Sequence, residues 1–198
     1  MYILIFIIGL IIGIILNGVI ESISYSITKS NAKTVNAFAP IICAFAFEIL
    51  FLRLGFTILL AKAVAMIAIL IIISIIDLRH RIIPDFMVGI ALVIGIMFSF
   101  IDRASPIDTL LGMIAGGGIL FLLAFIPNAM GGGDIKLMFA IGAFLGLNRT
   151  LWALLLAFSI SSIISIVLIL FKVKGKKDYI PFAPFLSLGS FISLMILI

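Results

Sequence analysis

The sequence has very little of the residues from which proteins build metal centres and disulfides. Of its 198 residues, one is a cysteine, Cys43, and one is a histidine, His80. A single cysteine excludes an internal disulfide and a cysteine-cluster metal site, and a single histidine argues equally against a histidine-rich site. We therefore expect no bound metal.

Charged side chains are also scarce, at 11% of residues against 65% that are hydrophobic. Soluble domains carry roughly 25% charged residues, so this chain could not cover a solvated surface. Apolar runs of near-spanning length recur along the whole chain, and they do not alternate as the strands of a membrane barrel do. The composition predicts an all-α, polytopic membrane helical bundle.

We count about eight transmembrane helices from these runs. They cover residues 2–20, 38–52, 56–76, 86–101, 110–126, 135–147, 151–171 and 182–198. The sixth and seventh runs are separated at Asn148–Arg149, because a fused helix would be about 55 Å long. The longest loop, residues 21–37, is too short for a soluble domain. Residues 1–198 are therefore predicted to form a single integral-membrane domain.

Basic residues are concentrated on one side of this predicted topology. One set of loops carries Lys29, Lys33, Arg79, Arg81, Lys172, Lys174, Lys176 and Lys177, and the other carries Arg53, Arg103 and Arg149. The positive-inside rule places the first set in the cytoplasm. The net charge of +5 is thus explained without nucleic acid as a partner. The prediction is a multi-pass protein of the inner or plasma membrane in contact with lipid, with no indication of its oligomeric state.

Asp77 and Asp134 are acidic residues that directly abut apolar runs and return to one membrane face in the predicted topology. Asp77 ends the third run, Asp134 precedes the sixth, and two predicted spans separate them. An even number of crossings returns the chain to the same face, so both carboxylates are expected at the cytoplasmic edge. Two such carboxylates can share one proton, so that one activates water while the other polarises a carbonyl. The alternative is that Asp134 is only a helix N-cap and Asp77 is only interfacial.

Other charged residues receive simpler interpretations. Asp102 and Asp108 flank a predicted outer turn and are most simply solvated, although Asp108 could also cap the next helix. Glu48 and Lys62 fall within spans, where they either pair across neighbouring helices or line a polar cavity.

Two motifs around the paired aspartates carry a family resemblance. DLRHRIIPD at 77–85 and GGGD at 131–134 together resemble the signatures of type IV prepilin peptidases, membrane aspartic proteases of the GxGD class. Further similar segments make the resemblance cover nearly the whole chain. They are GLIIGIILNGVI at 9–20, GGGDIKLMFAIGAFLG at 131–146 and IPFAPFLSLGSFI at 180–192.

The resemblance implies an aspartic endopeptidase that faces the cytoplasm. Such enzymes remove the short basic leader from type IV prepilins or pilin-like precursors, in type IV pilus and protein secretion systems. It implies that Asp77 and Asp134 are catalytic, and that proteolysis needs no cofactor.

Asp85 also matches the family pattern and is expected in a supporting role, in which it caps the fourth span. Gly131 and Gly133 are expected to support the site because they remove side-chain bulk beside Asp134, so that a substrate backbone can approach closely. For Lys136 two interpretations stay open: it snorkels to the membrane interface, or it supports the site by orienting Asp134 or the substrate.

The chain departs from many bacterial relatives in its first cytoplasmic loop. Those relatives carry two Cys-x-x-Cys pairs there and methylate the new N-terminus with S-adenosylmethionine, whereas residues 21–37 contain no cysteine. The resemblance is therefore to a short form. S-adenosylmethionine is expected only if this chain also methylates, and no residues for binding it are identified.

Two functions from other classes compete with the peptidase. A small membrane transporter would use Glu48 and Lys62 as an ion path. A non-catalytic scaffold for secretion assembly would tolerate the loss of both aspartate charges.

Overall fold

The computed structural model describes residues 2–29, 38–102, 104–126, 130–172 and 180–196. Within these ranges the chain forms helices and the turns between them, which confirms the all-α prediction. The helices are α1 (Tyr2–Thr28), α2 (Phe38–Leu54), α3 (Ile58–His80), α4 (Asp85–Ile101), α5 (Pro106–Leu123), α6 (Gly132–Leu170) and α7 (Ala183–Ile196).

The lengths and composition of these helices identify a membrane helical bundle. Four segments are long and apolar enough to cross a bilayer: Leu4–Thr28, Ile58–His80, Pro106–Leu123 and Gly132–Leu170. Two further apolar helices are shorter, α4 with 17 residues and α7 with 14. The predicted count of eight spans is not shown, because only four of the described segments reach spanning length. The sixth and seventh predicted runs both lie in α6, which is interrupted at Gly146.

Helix α6 folds back on itself at Gly146, which has φ 73° and ψ −178°. A Cβ added to Gly116 of α5 would lie within 3.0 Å of both the Met138 carbonyl oxygen and Thr150 Cγ2. In a straight helix these two residues would be about 18 Å apart. The chain therefore reverses at Gly146, just before the predicted turn at Asn148–Arg149, and both segments of α6 pack against α5.

The reversal is stabilised from the start of α5. Asp108 Oδ1 accepts a hydrogen bond from the Leu147 N–H at 3.1 Å, which caps the second segment of α6. A Cβ on Gly146 would collide with Asp108 Oδ2. Asp108 is exposed, as predicted, but the helix that it caps is the second segment of α6 and not α5, whose N-cap is Ser105.

A buried ion pair joins α3 to the end of α4. Lys62 Nζ donates to Asp102 Oδ2 at 2.7 Å, with the two side chains 7% and 16% exposed. Asp102 Oδ1 also accepts from the Ala104 N–H. The interpretation of Asp102 as solvated is therefore wrong. For Lys62 the structure shows pairing across helices, with Asp102 as its partner.

Candidate active site

Asp77 lies in the last turn of α3 and is held by the start of α7. Its side chain is buried, and its Oδ2 accepts a hydrogen bond from the Ala183 N–H at 3.2 Å. Because Ala183 begins α7, the carboxylate faces the positive end of that helix. Helix α3 ends at His80, and its C-cap residue, Arg81, has φ 56° and donates its N–H to the Asp77 carbonyl oxygen.

Asp134 lies in the first turn of α6 and is also buried, at 3% exposure. The N-cap of α6 is Gly131, and the Asp134 N–H donates to the Gly131 carbonyl oxygen at 3.2 Å. Asp134 is therefore not itself the N-cap. Its Oδ1 is buried without a hydrogen-bond partner among the described residues. Such an atom is rare in a folded protein, and helix capping does not account for it.

The two carboxylates converge on one cavity of about 280 Å³. The residues lining it are Asp77, Arg81, Ile82, Ile83, Asp85, Gly131, Gly132, Gly133 and Asp134. The structure thus brings together the two acids that the sequence pattern singled out, at the C-terminal end of α3 and the N-terminal end of α6.

The three glycines beside Asp134 have different surroundings. Gly131 is the N-cap of α6. A Cβ on Gly133 would lie 3.0 Å from Ile83 Cβ, so a side chain there would be crowded by the α3–α4 connection. A Cβ on Gly132 would meet no heavy atom within 4 Å, although Gly132 lines the cavity. Gly132 therefore leaves space open next to the carboxylates.

Asp85 and Lys136 form an ion pair at the rim of this cavity. Lys136 Nζ donates to Asp85 Oδ1 at 2.8 Å, and the side chains are 58% and 72% exposed. The pair connects the first turns of α4 and α6, but exposed pairs of this kind contribute only about 0–1 kcal/mol to stability. The structure brings both predicted supporting residues to the site without placing either in its buried part.

The sequence patterns did not indicate two features of the site. The Ala183 N–H is a backbone donor, and a backbone group leaves no signal in residue identity. Arg81 was interpreted only as part of the basic loop set, yet it lines the cavity. The motif that contains Asp77 could have suggested this, because Arg81 follows Asp77 by one helical turn.

A comparison with protein families places both aspartates inside one matched region. Residues 64–170, more than half of the chain, match the model of the Type IV leader peptidase family. The chain belongs to this family. The match covers α3 from Val64 to its end, and all of α4, α5 and α6.

Several curated members of the family are similar to this chain, and each bears the name prepilin leader peptidase/N-methyltransferase. The protein of Aeromonas salmonicida strain A449 is 31% identical over 134 residues, which is 64% of this chain and 46% of the relative. The protein of Bacillus subtilis strain 168 is 31% identical over 161 residues, 78% of this chain and 63% of the relative. The protein of Legionella pneumophila is 33% identical over 147 residues, 71% of this chain and 51% of the relative.

The chain thus spans between 46% and 63% of the length of these relatives. No solved structure matches the chain.

Proposed function

We propose that this protein is an aspartic endopeptidase that removes the short basic leader from type IV prepilins or pilin-like precursors. The observation that carries the proposal is the meeting of two buried carboxylates, Asp77 and Asp134, at one cavity. Membership of the leader peptidase family and the names of the relatives support the same activity.

The two carboxylates act as a unit that shares one proton. The ionised member removes a proton from water, and the water oxygen attacks the scissile carbonyl carbon. The protonated member gives its proton to the carbonyl oxygen, which forms a tetrahedral diol. The carbon–nitrogen bond then breaks as one carboxyl group returns a proton to the leaving amine and the other takes a proton from a hydroxyl. The pair again holds one proton.

The surroundings of each carboxylate suit this chemistry. The hydrogen bond from the Ala183 N–H fixes the orientation of Asp77. Asp134 Oδ1, which has no partner among the described residues, is free to bind water or a proton. Gly132 leaves room for a substrate backbone to approach the pair. In this proposal Gly131 and Gly133 support the site by shaping the start of α6.

The cleavage takes place at the cytoplasmic face of the inner or plasma membrane. The distribution of basic loops in the sequence supports this orientation. Helices α3, α6 and α7 all contribute to the site, which supports a single integral-membrane peptidase domain over residues 1–198. The partners are then the precursor and the surrounding lipid.

The two carboxylates and the cavity of about 280 Å³ that they line account for proteolysis, which requires no cofactor. The relatives are also named N-methyltransferases. Methylation of the new N-terminus by this chain would require S-adenosylmethionine as the methyl donor, and none of the described residues is assigned to binding it.

Coexpression with a pilin-like precursor tests this function. Asp77→Asn and Asp134→Asn should each abolish conversion of the precursor to its shorter form, because an amide can neither accept nor donate the shared proton. Glu48→Gln, which changes a half-buried carboxyl group of α2 away from the cavity, should process normally.

Full processing by either aspartate variant that is inserted in the membrane would refute the proposal. Tolerance of both aspartate changes would instead favour an assembly scaffold. Dependence of membrane transport on Glu48, with both aspartates dispensable, would favour a transporter.

A further inference from the structure

A second and larger cavity opens on the surface of the bundle beside the aspartates. It measures about 710 Å³ and lies between α4, α5 and the first segment of α6. We call it the α4–α6 cleft. Its apolar lining residues are Val88, Leu92, Ile114, Phe121, Ile135 and Phe139, and its glycines are Gly89, Gly117 and Gly118.

Close packing within the described bundle does not require glycine at two of these positions. A Cβ on Gly89 or Gly118 would meet no heavy atom within 4 Å, whereas a Cβ on Gly112 would collide with the backbone of α6. Glycine inside a helix is about 1 kcal/mol less favourable than alanine. Small residues line the surfaces where membrane helices approach each other closely. Gly89 and Gly118 therefore leave space for close contact with a helix of another protein.

The cleft adjoins the aspartate cavity. Asp85 lines both, and its ion-pair partner Lys136 lines the cleft. Beyond Asp85 lies Asp134, whose buried Oδ1 has no partner among the described residues. A chain that leaves the cleft at Asp85 thus reaches the carboxylates past the open space at Gly132.

A rival surface groove lacks these features. It measures about 430 Å³ and lies between α2, α3 and α7. Among the described residues, it shares no lining residue with the aspartate cavity and contains no glycine. Lipid chains are sufficient to cover such a surface, so the rival groove serves as a control.

We propose that the α4–α6 cleft binds the apolar helix of the precursor while its leader junction lies over Asp85 and Gly132. This inference rests on the proposed function, since it names the surface on which that substrate docks. The lining of the cleft agrees with it. Among the described residues, Asp85 and Lys136 are the only charged groups of the cleft, and Asp85 also lines the aspartate cavity. The rest of the cleft is apolar or glycine, which suits an apolar helix.

Two substrates separate docking of the helix from cleavage itself. The first is a full pilin-like precursor, and the second is a peptide with the same leader junction that ends before the apolar helix. Gly118→Leu places a side chain in the cleft and should lower the ratio of kcat/KM for the precursor to kcat/KM for the peptide by about tenfold. A loss of that size lies within the free-energy cost of an overpacked contact. The matched control is Gly18→Leu on α1, where a Cβ also meets nothing within 4 Å.

Gly18→Leu should leave the ratio of the two kcat/KM values as it is in the wild type. If Gly118→Leu lowers kcat/KM equally for both substrates, the substitution has damaged the fold rather than docking, and the inference is overturned. Cleavage of neither substrate by the wild type would refute the proposed function itself.

Photo-crosslinking gives a second measurement that does not depend on Gly118. A photoreactive residue replaces Leu92 in the cleft or Ile71 in the rival groove, each in the Asp134→Asn background that retains the substrate. The precursor should crosslink from position 92 and not from position 71. If position 92 crosslinks to lipid or to a second copy of the chain and not to the precursor, the inference is overturned. Crosslinking of the precursor at position 71 and not at position 92 would also overturn it.

Discussion

Replacing Gly146 by alanine should destabilise the reversal that packs both segments of α6 against α5. Gly146 has φ 73° and ψ −178°, a combination that is essentially restricted to glycine. A non-glycine residue in such a conformation costs roughly 1–3 kcal/mol. The new Cβ would also displace the Asp108 carboxylate, with which it would collide.

Displacement of Asp108 adds a second contribution. Its hydrogen bond to the Leu147 N–H caps the second segment of α6, and loss of an N-cap costs about 0.5–2 kcal/mol. Together the two effects lower the free energy of unfolding by about 2–5 kcal/mol. Asp108→Ala alone removes only the cap and should cost about 1 kcal/mol.

Reversible denaturation of the purified protein in mixed micelles, followed by helical circular dichroism, measures these differences. Gly18→Ala on α1 is the matched control, because its Cβ meets no heavy atom and alanine should stabilise the helix by up to about 1 kcal/mol. The reasoning is refuted if Gly146→Ala unfolds within about 0.5 kcal/mol of the wild type, a change typical of an ordinary surface substitution. It is also refuted if Gly146→Ala costs less than Asp108→Ala.

Three further substitutions separate stability from activity. Gly132→Ala should raise the free energy of unfolding by up to about 1 kcal/mol and should slow cleavage, because the new methyl group narrows the cavity. A lower free energy of unfolding with an unchanged cleavage rate would contradict the presence of open space at Gly132. Lys62→Met removes the cationic partner of buried Asp102 and should cost about 3–5 kcal/mol in the same denaturation experiment, so a loss under about 1 kcal/mol would show the pair to be dispensable. Asp85→Asn breaks only an exposed pair with Lys136, so stability should fall by at most about 1 kcal/mol and most processing should remain; complete loss of processing would give Asp85 a direct role.

The helical bundle could be predicted from the sequence because the bilayer restricts the choice of structure. Every backbone polar group in the hydrocarbon core must be satisfied within its own segment, so long apolar runs without alternation indicate helices. The same restriction allows membrane crossings to be counted along the chain. Two predicted crossings between Asp77 and Asp134 place both acids at the same membrane face. Asp85 and Asp102 also stand at the ends of an apolar run, so it was the motifs around Asp77 and Asp134, DLRHRIIPD and GGGD, that distinguished these two acids.

The details that depend on tertiary contacts could not be predicted in this way. Hydropathy places a break between the last two long runs, but it does not distinguish the reversing Gly146 from the many glycines that only allow close packing. The partner of Lys62 is Asp102, which is 40 residues away in sequence, and no periodicity connects them. The backbone N–H of Ala183 is invisible in the sequence because every residue except proline has one.

We propose that Asp77 and Asp134 act as one catalytic unit, and a double-mutant cycle on the cleavage rate is the most direct test of this proposal. Single-turnover rates are measured for the wild type, Asp77→Asn, Asp134→Asn and the double variant on the same precursor. Residues that share one proton lose their function together, so both single variants and the double variant should have the same low residual rate. A double variant whose loss is the product of the two single losses, or a single variant that retains substantial activity, would contradict the claim.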